Sequence, residues 1–372
     1  MDSARELVEL RLIAQRLVGE PFPTVREAAA HLSASQGQHL NGVLASLAQR
    51  TASGTWADAA AAFGRGEIVR GYPMRGTVFA VAAADLAWQT ALTGQRQLDG
   101  AKKRRIEHGL DEYVPRAIDV ARSTIAAAPE RGVTRQALGD AWVAAGIPTD
   151  AGRLYHLVFT LMASGELAYG PLTAQGQLLV DARAWLPADS TLEARFNGDE
   201  GAALAHWLRS YLVSHGPATV RDFAWWTKLP LGRIRAAAAE ATAGLEAYGE
   251  AGGETRWGRP GLQDDRAALG AKELDRGRLL APFDELVLGY PDRTYLVPAQ
   301  HEEKLAPGRN GVFKNALLRR GEIVGTWKAK ARAAGPELVL EPFGASLPKT
   351  AQGEFAREFA SYPHPDRDAA AE

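Results

Sequence analysis

The chain of 372 residues contains no cysteine. Disulfides, thiolate nucleophiles, iron–sulfur clusters and cysteine-ligated zinc are excluded at once. Nor does it contain the run of roughly 18 to 20 apolar residues that a membrane-crossing helix needs, so no span is expected. The opening string MDSARELVELRLIAQRL alternates charge with apolar residues and lacks the h-region and cleavage site of a secretory signal. The expected location is the cytoplasm, at the nucleoid when the chain is bound to DNA. An excess of one charge is also missing: 43 Lys and Arg face 44 Asp and Glu, for a net charge of −1. Affinity for nucleic acid therefore has to come from a local patch, not from bulk electrostatics. The densest cluster is Lys102, Lys103, Arg104 and Arg105, a run that also reads as one solvated helix face. Histidine is sparse and scattered, with no HExxH arrangement among the eight. No metal and no other cofactor is expected.

At this length two to four modules are expected. Capping-box spacings at Ser3/Glu6 and Thr24/Glu27, with Thr55/Asp58 after them, predict a run of short helices, including 25–32 and 41–49. The string GEIVRGYPMRGTVFAV then suits a β-hairpin. Helices followed by a hairpin make a winged helix. The pattern returns at 134–146 and 150–165 before ELAYGPLTAQGQLLVDARAW, and again at 219–227 and 232–244 before AYGEAGGETRWGR. From about residue 276 the texture turns to strands, in RLLAPFDELVLGY, RTYLVPA, GEIVGTWKAK and ELVLEPF, and the chain closes on the polar tail PHPDRDAAAE. The expected fold class is α+β, mainly α. Its modules are a first winged helix at 1–99, a second at 100–190, a third at 191–275, and a β-rich sheet or small barrel domain at 276–372.

Several strings, in this order and at this spacing, resemble one family. They are LRLIAQRL (10–17), SQGQ (35–38), MRGTVF (74–79), GPATVRDFAWWTKLPL (216–231), LLAPFDELVLGYPDR (279–293), and NGVF with GEIVGTW (310–327). Together they are similar to the winged-helix family of bacterial alkylpurine and interstrand-crosslink DNA glycosylases. The resemblance implies tandem winged helices in a C-shaped scaffold with a C-terminal β-barrel. It also implies a Gln-x-Gln motif that supports hydrolysis of the N-glycosidic bond of a damaged purine, here Gln36 and Gln38. The family usually carries a bulky residue between the two glutamines, whereas this chain has Gly37.

On its own the spacing is a weak signal, because it recurs at Gln95/Gln97 and Gln175/Gln177. The chemistry is nevertheless coherent. Purines alkylated at N3 or N7 are already cationic, so the base departs without a strong general acid. What remains is to position a water and to stabilise a sugar cation, and an amide offers an acceptor oxygen and two donor hydrogens for that. Residues two apart share a side only in an extended segment, so 35–38 is not expected inside a helix. The same alternation turns His39 away from Gln38 and argues against it as a base. No lysine accompanies the motif, which excludes Schiff-base chemistry.

Arg75, in the first hairpin, suits either a DNA phosphate or a salt bridge. Trp225 and Trp226 read as core, not as stacking groups. Asp284, Glu285, Asp292 and Arg293 read as turn chemistry and strand-end pairing. The expected function is a monofunctional, monomeric DNA glycosylase acting on double-stranded DNA with alkylated or crosslinked purines. A non-catalytic winged-helix DNA-binding protein, either a transcription regulator or a binder of damaged DNA, is the competing expectation.

Overall fold

A computed structural model describes residues 4–309, 311–332, 335–344 and 346–365. Ser3 of the first expected capping box, Asn310 and the tail residues 366–372 lie outside them. The chain folds as two compact units: Met1–Ala59 with Ala205–Glu372, and Ala60–Leu204 between them. Each mixes helices with small antiparallel sheets. Among the described residues no helix is long and apolar enough to cross a membrane.

The discontinuous unit opens with helix Ala4–Ala14, whose residues are buried from Leu7 onward. Val8, Leu10, Leu12 and Ile13 share one core with Leu262, Leu274, Leu286, Leu296 and Ile323. An N-terminal helix walled in by C-terminal side chains means that neither segment can close this core alone. Helix Val25–Leu32 starts at the expected capping box: Thr24 Oγ1 accepts from Glu27 N at 3.2 Å, and Glu27 Oε2 accepts from Thr24 N at 3.1 Å. A second box, Thr219 with Asp222, caps helix Val220–Thr227. Helix Leu231–Thr242 and the hairpin Glu246–Ala251/Glu254–Gly258 follow in the expected places.

The C-terminal strands form a four-stranded antiparallel sheet in the order Glu337–Pro342, Glu322–Lys330, Ala316–Arg319, Arg278–Leu280. Leu279, Leu317 and Trp327 bury one face of it against Phe355 and Phe359 of helix Lys349–Ser361, an element that the sequence analysis does not anticipate. Two expected strands need correction. RLLAPFDELVLGY pairs only over Arg278–Leu280, because Asp284 Oδ1 accepts from Leu286 N at 2.9 Å and starts the short helix Glu285–Leu288. RTYLVPA forms no strand. Asp292 Oδ1 accepts from both N and Oγ1 of Thr294, at 2.8 and 2.7 Å, and closes a turn there, since such local bonds compete with a strand ladder.

In the other unit, strands Ile68–Met74 and Thr77–Ala82 form the first hairpin, and Leu167–Thr173 and Gly176–Asp181 the second. Arg70 pairs with Tyr169 and joins the two hairpins into one sheet. The first turn has φ of 61° at Arg75 and 65° at Gly76, the two left-handed residues of a tight two-residue hairpin. Helices Arg135–Ala144 and Arg153–Ala163 lie where expected, the former capped by Thr134. Trp142, Leu157 and Leu161 pack with Leu179 in the core. Helix Ala83–Glu107 carries the expected helix face at 102–105 but extends far before it, and helix Val114–Ala127 has no counterpart in the sequence reading.

Candidate active site

Ser33, at φ 63°, ends helix Val25–Leu32, and the chain then runs extended through Ser35–Gln36 before helix Leu40–Ala48. Extended backbone sends the side chains of Gln36 and Gln38 to the same side. They meet there: Gln36 Nε2 donates to Gln38 Oε1 at 3.0 Å, and Gln38 N donates to Gln36 Oε1 at 3.3 Å. Gln36 is buried and Gln38 exposed, so the pair forms a braced amide with an outward face. His39 is spent differently, because its Nδ1 caps the next helix by accepting from Gly42 N at 2.9 Å.

Behind the amides stands a buried polar scaffold. Gln36 N donates to Glu285 Oε1 at 2.8 Å, and the indole Nε1 of Trp226 donates to Glu285 Oε2 at 3.1 Å. His215 Nε2 lies 3.5 Å from the same Oε2, and its Nδ1 is 2.8 Å from Ser214 Oγ. The His215 imidazole is stacked on Tyr211, with centroids 4.6 Å apart. Burial pushes it down from its ordinary pKa, and Glu285 offsets this only in part. The neighbouring Asp284 takes Arg50 across two contacts, 2.9 and 3.1 Å, together with the Ser46 hydroxyl at 2.7 Å. Burial alone would push the Asp284 carboxyl up, yet Arg50, with the Leu286 N–H and the Ser46 hydroxyl, more than reverses it and holds the group below its ordinary value. Arg50 also donates to Gln15 O and Gln15 Oε1, each at 3.0 Å. The helix Ala4–Ala14, the motif strand and the turn at 284–285 are thereby tied by hydrogen bonds that burial makes costly to break.

Sequence reasoning anticipated the Gln pair but missed this support. Asp284 does start a turn, as expected, but it also neutralises a fully buried arginine, and Glu285 reaches the motif itself. Trp226 is fully buried, as expected of a core residue. Trp225 is half-buried, with Lys228 Nζ 4.7 Å from its ring centroid. The Arg293 guanidinium sits 5.0 Å from the Phe313 ring, and its Nε donates to Val287 O at 2.9 Å.

The two other Gln-x-Gln pairs serve as struts. Gln97 accepts from Gly76 N at 2.9 Å and donates to Tyr72 O at 2.8 Å, bracing the first hairpin. Gln95 bonds to Asp99 one turn along its helix, and Gln177 donates to Gly170 O inside the second hairpin. Of the expected DNA-binding residues, Arg75 lies 5.9 Å from the Phe79 ring of its own hairpin. Lys102, Lys103 and Arg104 are exposed on helix Ala83–Glu107. Arg105 is turned inward, onto Asp111 at 2.9 Å and Leu98 O at 2.6 Å. The same unit carries a cavity of about 770 Å³ whose lining includes Leu86, Met162, Leu167 and Leu192 together with Arg183 and Glu193.

A buried polar network thus ends in two hydrogen-bonded glutamines beside an extended segment. The family model for AlkZ-like DNA glycosylases matches residues 29–364, and the chain belongs to that family. It is a DNA glycosylase, and DNA is its partner. Among solved structures, the DNA glycosylase AlkZ of Streptomyces sahachiroi matches with a TM-score of 0.74 over 98% of each chain, at 19% identity. The likeness at that identity is one of fold. No curated protein matches the chain.

Proposed function

We propose that the chain is a monofunctional, monomeric glycosylase that removes cationic N3- or N7-alkylated purines from duplex DNA, including purines joined across the two strands. In this reading Gln36 and Gln38 hold one water against the anomeric carbon while the base leaves. The observation that carries it is the Gln36 amide held at both ends, its Nε2 donating to Gln38 Oε1 at 3.0 Å and its Oε1 accepting from the Gln38 backbone N at 3.3 Å, with Gln38 exposed. The two bonds fix the rotation of the Gln36 amide, and a fixed dipole needs no reorganisation when charge develops on the sugar. An amide is a poor proton acceptor, so the reaction is confined to bases that are already good leaving groups.

We read the helix pairs followed by hairpins as winged-helix modules and the C-terminal sheet as part of a small barrel. Arg75 and the outward-facing Lys102, Lys103 and Arg104 are proposed to contact phosphates, with Arg105 bracing the helix that carries three of them. The test is release of free alkylated purine from methylated duplex DNA by the wild type, Gln36→Ala and Gln38→Ala. Loss of one aligned dipole predicts about a 10²-fold slower single-turnover rate for each variant. Equal release by all three proteins would remove the glutamines from the mechanism.

A further inference from the structure

The N–H of Gln36 points inward and must find an acceptor. A backbone carbonyl would serve, yet the structure uses a carboxylate that is 1% exposed. A buried carboxylate is a costly choice of acceptor unless it is compensated. The adjacent Asp284 is compensated, by Arg50 at 2.9 Å. Glu285 is not: among the described residues no lysine or arginine pairs with it, and its titratable neighbour is His215 at 3.5 Å, whose protonation burial disfavours. Its two oxygens instead receive one N–H each, from the catalytic strand and from the Trp226 indole.

We propose that Glu285 is a positioning residue for the glycosylase reaction. It clamps the backbone at Gln36 and so fixes the aim of the Gln36–Gln38 amide pair. The proposal rests on the reading of those glutamines as water-holding groups. The need for a carboxylate follows from the donor set. Gln36 N–H and Trp226 Nε1–H both demand an acceptor, and a carboxylate has one oxygen for each, whereas an amide of the same shape has an oxygen for one and an NH2 group against the other. Glu285→Gln therefore keeps the volume of the side chain but breaks one arm of the clamp. Glu285→Asp keeps both acceptors but draws them back by one methylene from a bond that is now 2.8 Å long. A displacement on that scale at a reacting group costs about 10²-fold in rate.

The experiment measures single-turnover release of alkylated purine and, separately, the affinity for uncleaved duplex DNA, in the wild type, Glu285→Gln, Glu285→Asp, Gln36→Ala and Gln38→Ala. The expected result is a loss of about 10- to 100-fold in rate for both Glu285 variants, with DNA affinity within about twofold of wild type. A merely structural role would lower rate and affinity together, in proportion to the folded fraction, and that outcome overturns the proposal. So does a Glu285→Gln rate within about twofold of wild type. If the Gln variants are impaired while the Glu285 variants are not, only the clamp fails. If the Gln variants retain full activity, the amide mechanism itself fails. Hydrogen exchange of the wild type supplies a reading that needs no folded variant: the Gln36 amide is expected to be protected well beyond that of the exposed Gln38, and equal rapid exchange at both refutes the clamp.

Discussion

At the scale of single residues, two neighbouring carboxylates behind the Gln36 segment have different partners, Arg50 for Asp284 and the Gln36 N–H for Glu285. Asp284 is the stability element. Its partner Arg50 is fully buried and donates to Gln15, Ser46 and Asp284 together. Arg50→Met preserves volume but leaves the Asp284 charge uncompensated, and it is expected to cost about 3–5 kcal/mol of unfolding free energy. Replacing Asp284 by Leu in the same chain should recover part of that loss, because two apolar groups carry no unpaid desolvation. Urea unfolding of the single and double variants checks this, and an equal loss in both would rule out the ion pair as the source. None of this was legible in the sequence. Gln36 could be found because family strings flank it, whereas Glu285 stands 249 positions away and looked like one more turn residue in a DEL string. The amides of Gln97 and Gln177 have the same spacing as the motif, and only the fold reveals that their bonds are spent on hairpin backbone.

At the scale of elements, the short helices were readable because local bonds fix their ends: Thr24 with Glu27, Thr134 with Ala137 N, Thr219 with Asp222. The long helix Ala83–Glu107 was not. Gly94 and Gly100 interrupt it, and its charged final turns read as a surface run without a stop signal. The structure separates the two glycines. A Cβ at Gly94 would stand 2.3 Å from the carbonyl oxygen of Ala163, which is backbone and cannot yield, whereas nothing lies within 4 Å of one at Gly100. Intrinsic propensity favours alanine over glycine by about 1 kcal/mol at either position. At Gly100 that gain stands alone, and Gly100→Ala should stabilise by about that much. At Gly94 the overlap dominates, and Gly94→Ala should destabilise by about 1–3 kcal/mol. Thermal unfolding of the pair decides the matter; shifts of the same sign would refute the packing seen here. The strands expected at 281–299 failed for the opposite reason, since the side chains of Asp284 and Asp292 captured nearby backbone N–H groups before a ladder could form.

At the scale of the whole molecule, acid stability follows from imidazoles held neutral. Burial pushes His215 down, among Glu285, Arg50, Arg11, Tyr211 and Tyr290, and it pushes His31 down to about 4. The unfolded chain takes up these protons near the ordinary value of about 6.5. Their contribution is therefore complete above that pH and declines as the pH falls below it toward the folded-state values. Asp284, held low by Arg50, adds its own loss only in stronger acid. The urea midpoint of the wild type is expected to fall between pH 7 and pH 5, and more steeply than in His215→Asn or His31→Asn. Parallel slopes in all three would exclude the two imidazoles.

The partition of the larger unit into Met1–Ala59 and Ala205–Glu372 has a consequence for synthesis. The ribosome delivers Gln36 early and Glu285 after 249 further residues. At about 5–20 residues per second that interval is roughly 12–50 s. During it the leading segment has neither its apolar wall nor its polar anchor, while the intervening unit is already complete. A nascent chain released before residue 285 emerges would lack the acceptor that the Gln36 N–H has in the complete fold. The bond between the Gln36 N–H and Glu285 can therefore form only during the last quarter of translation.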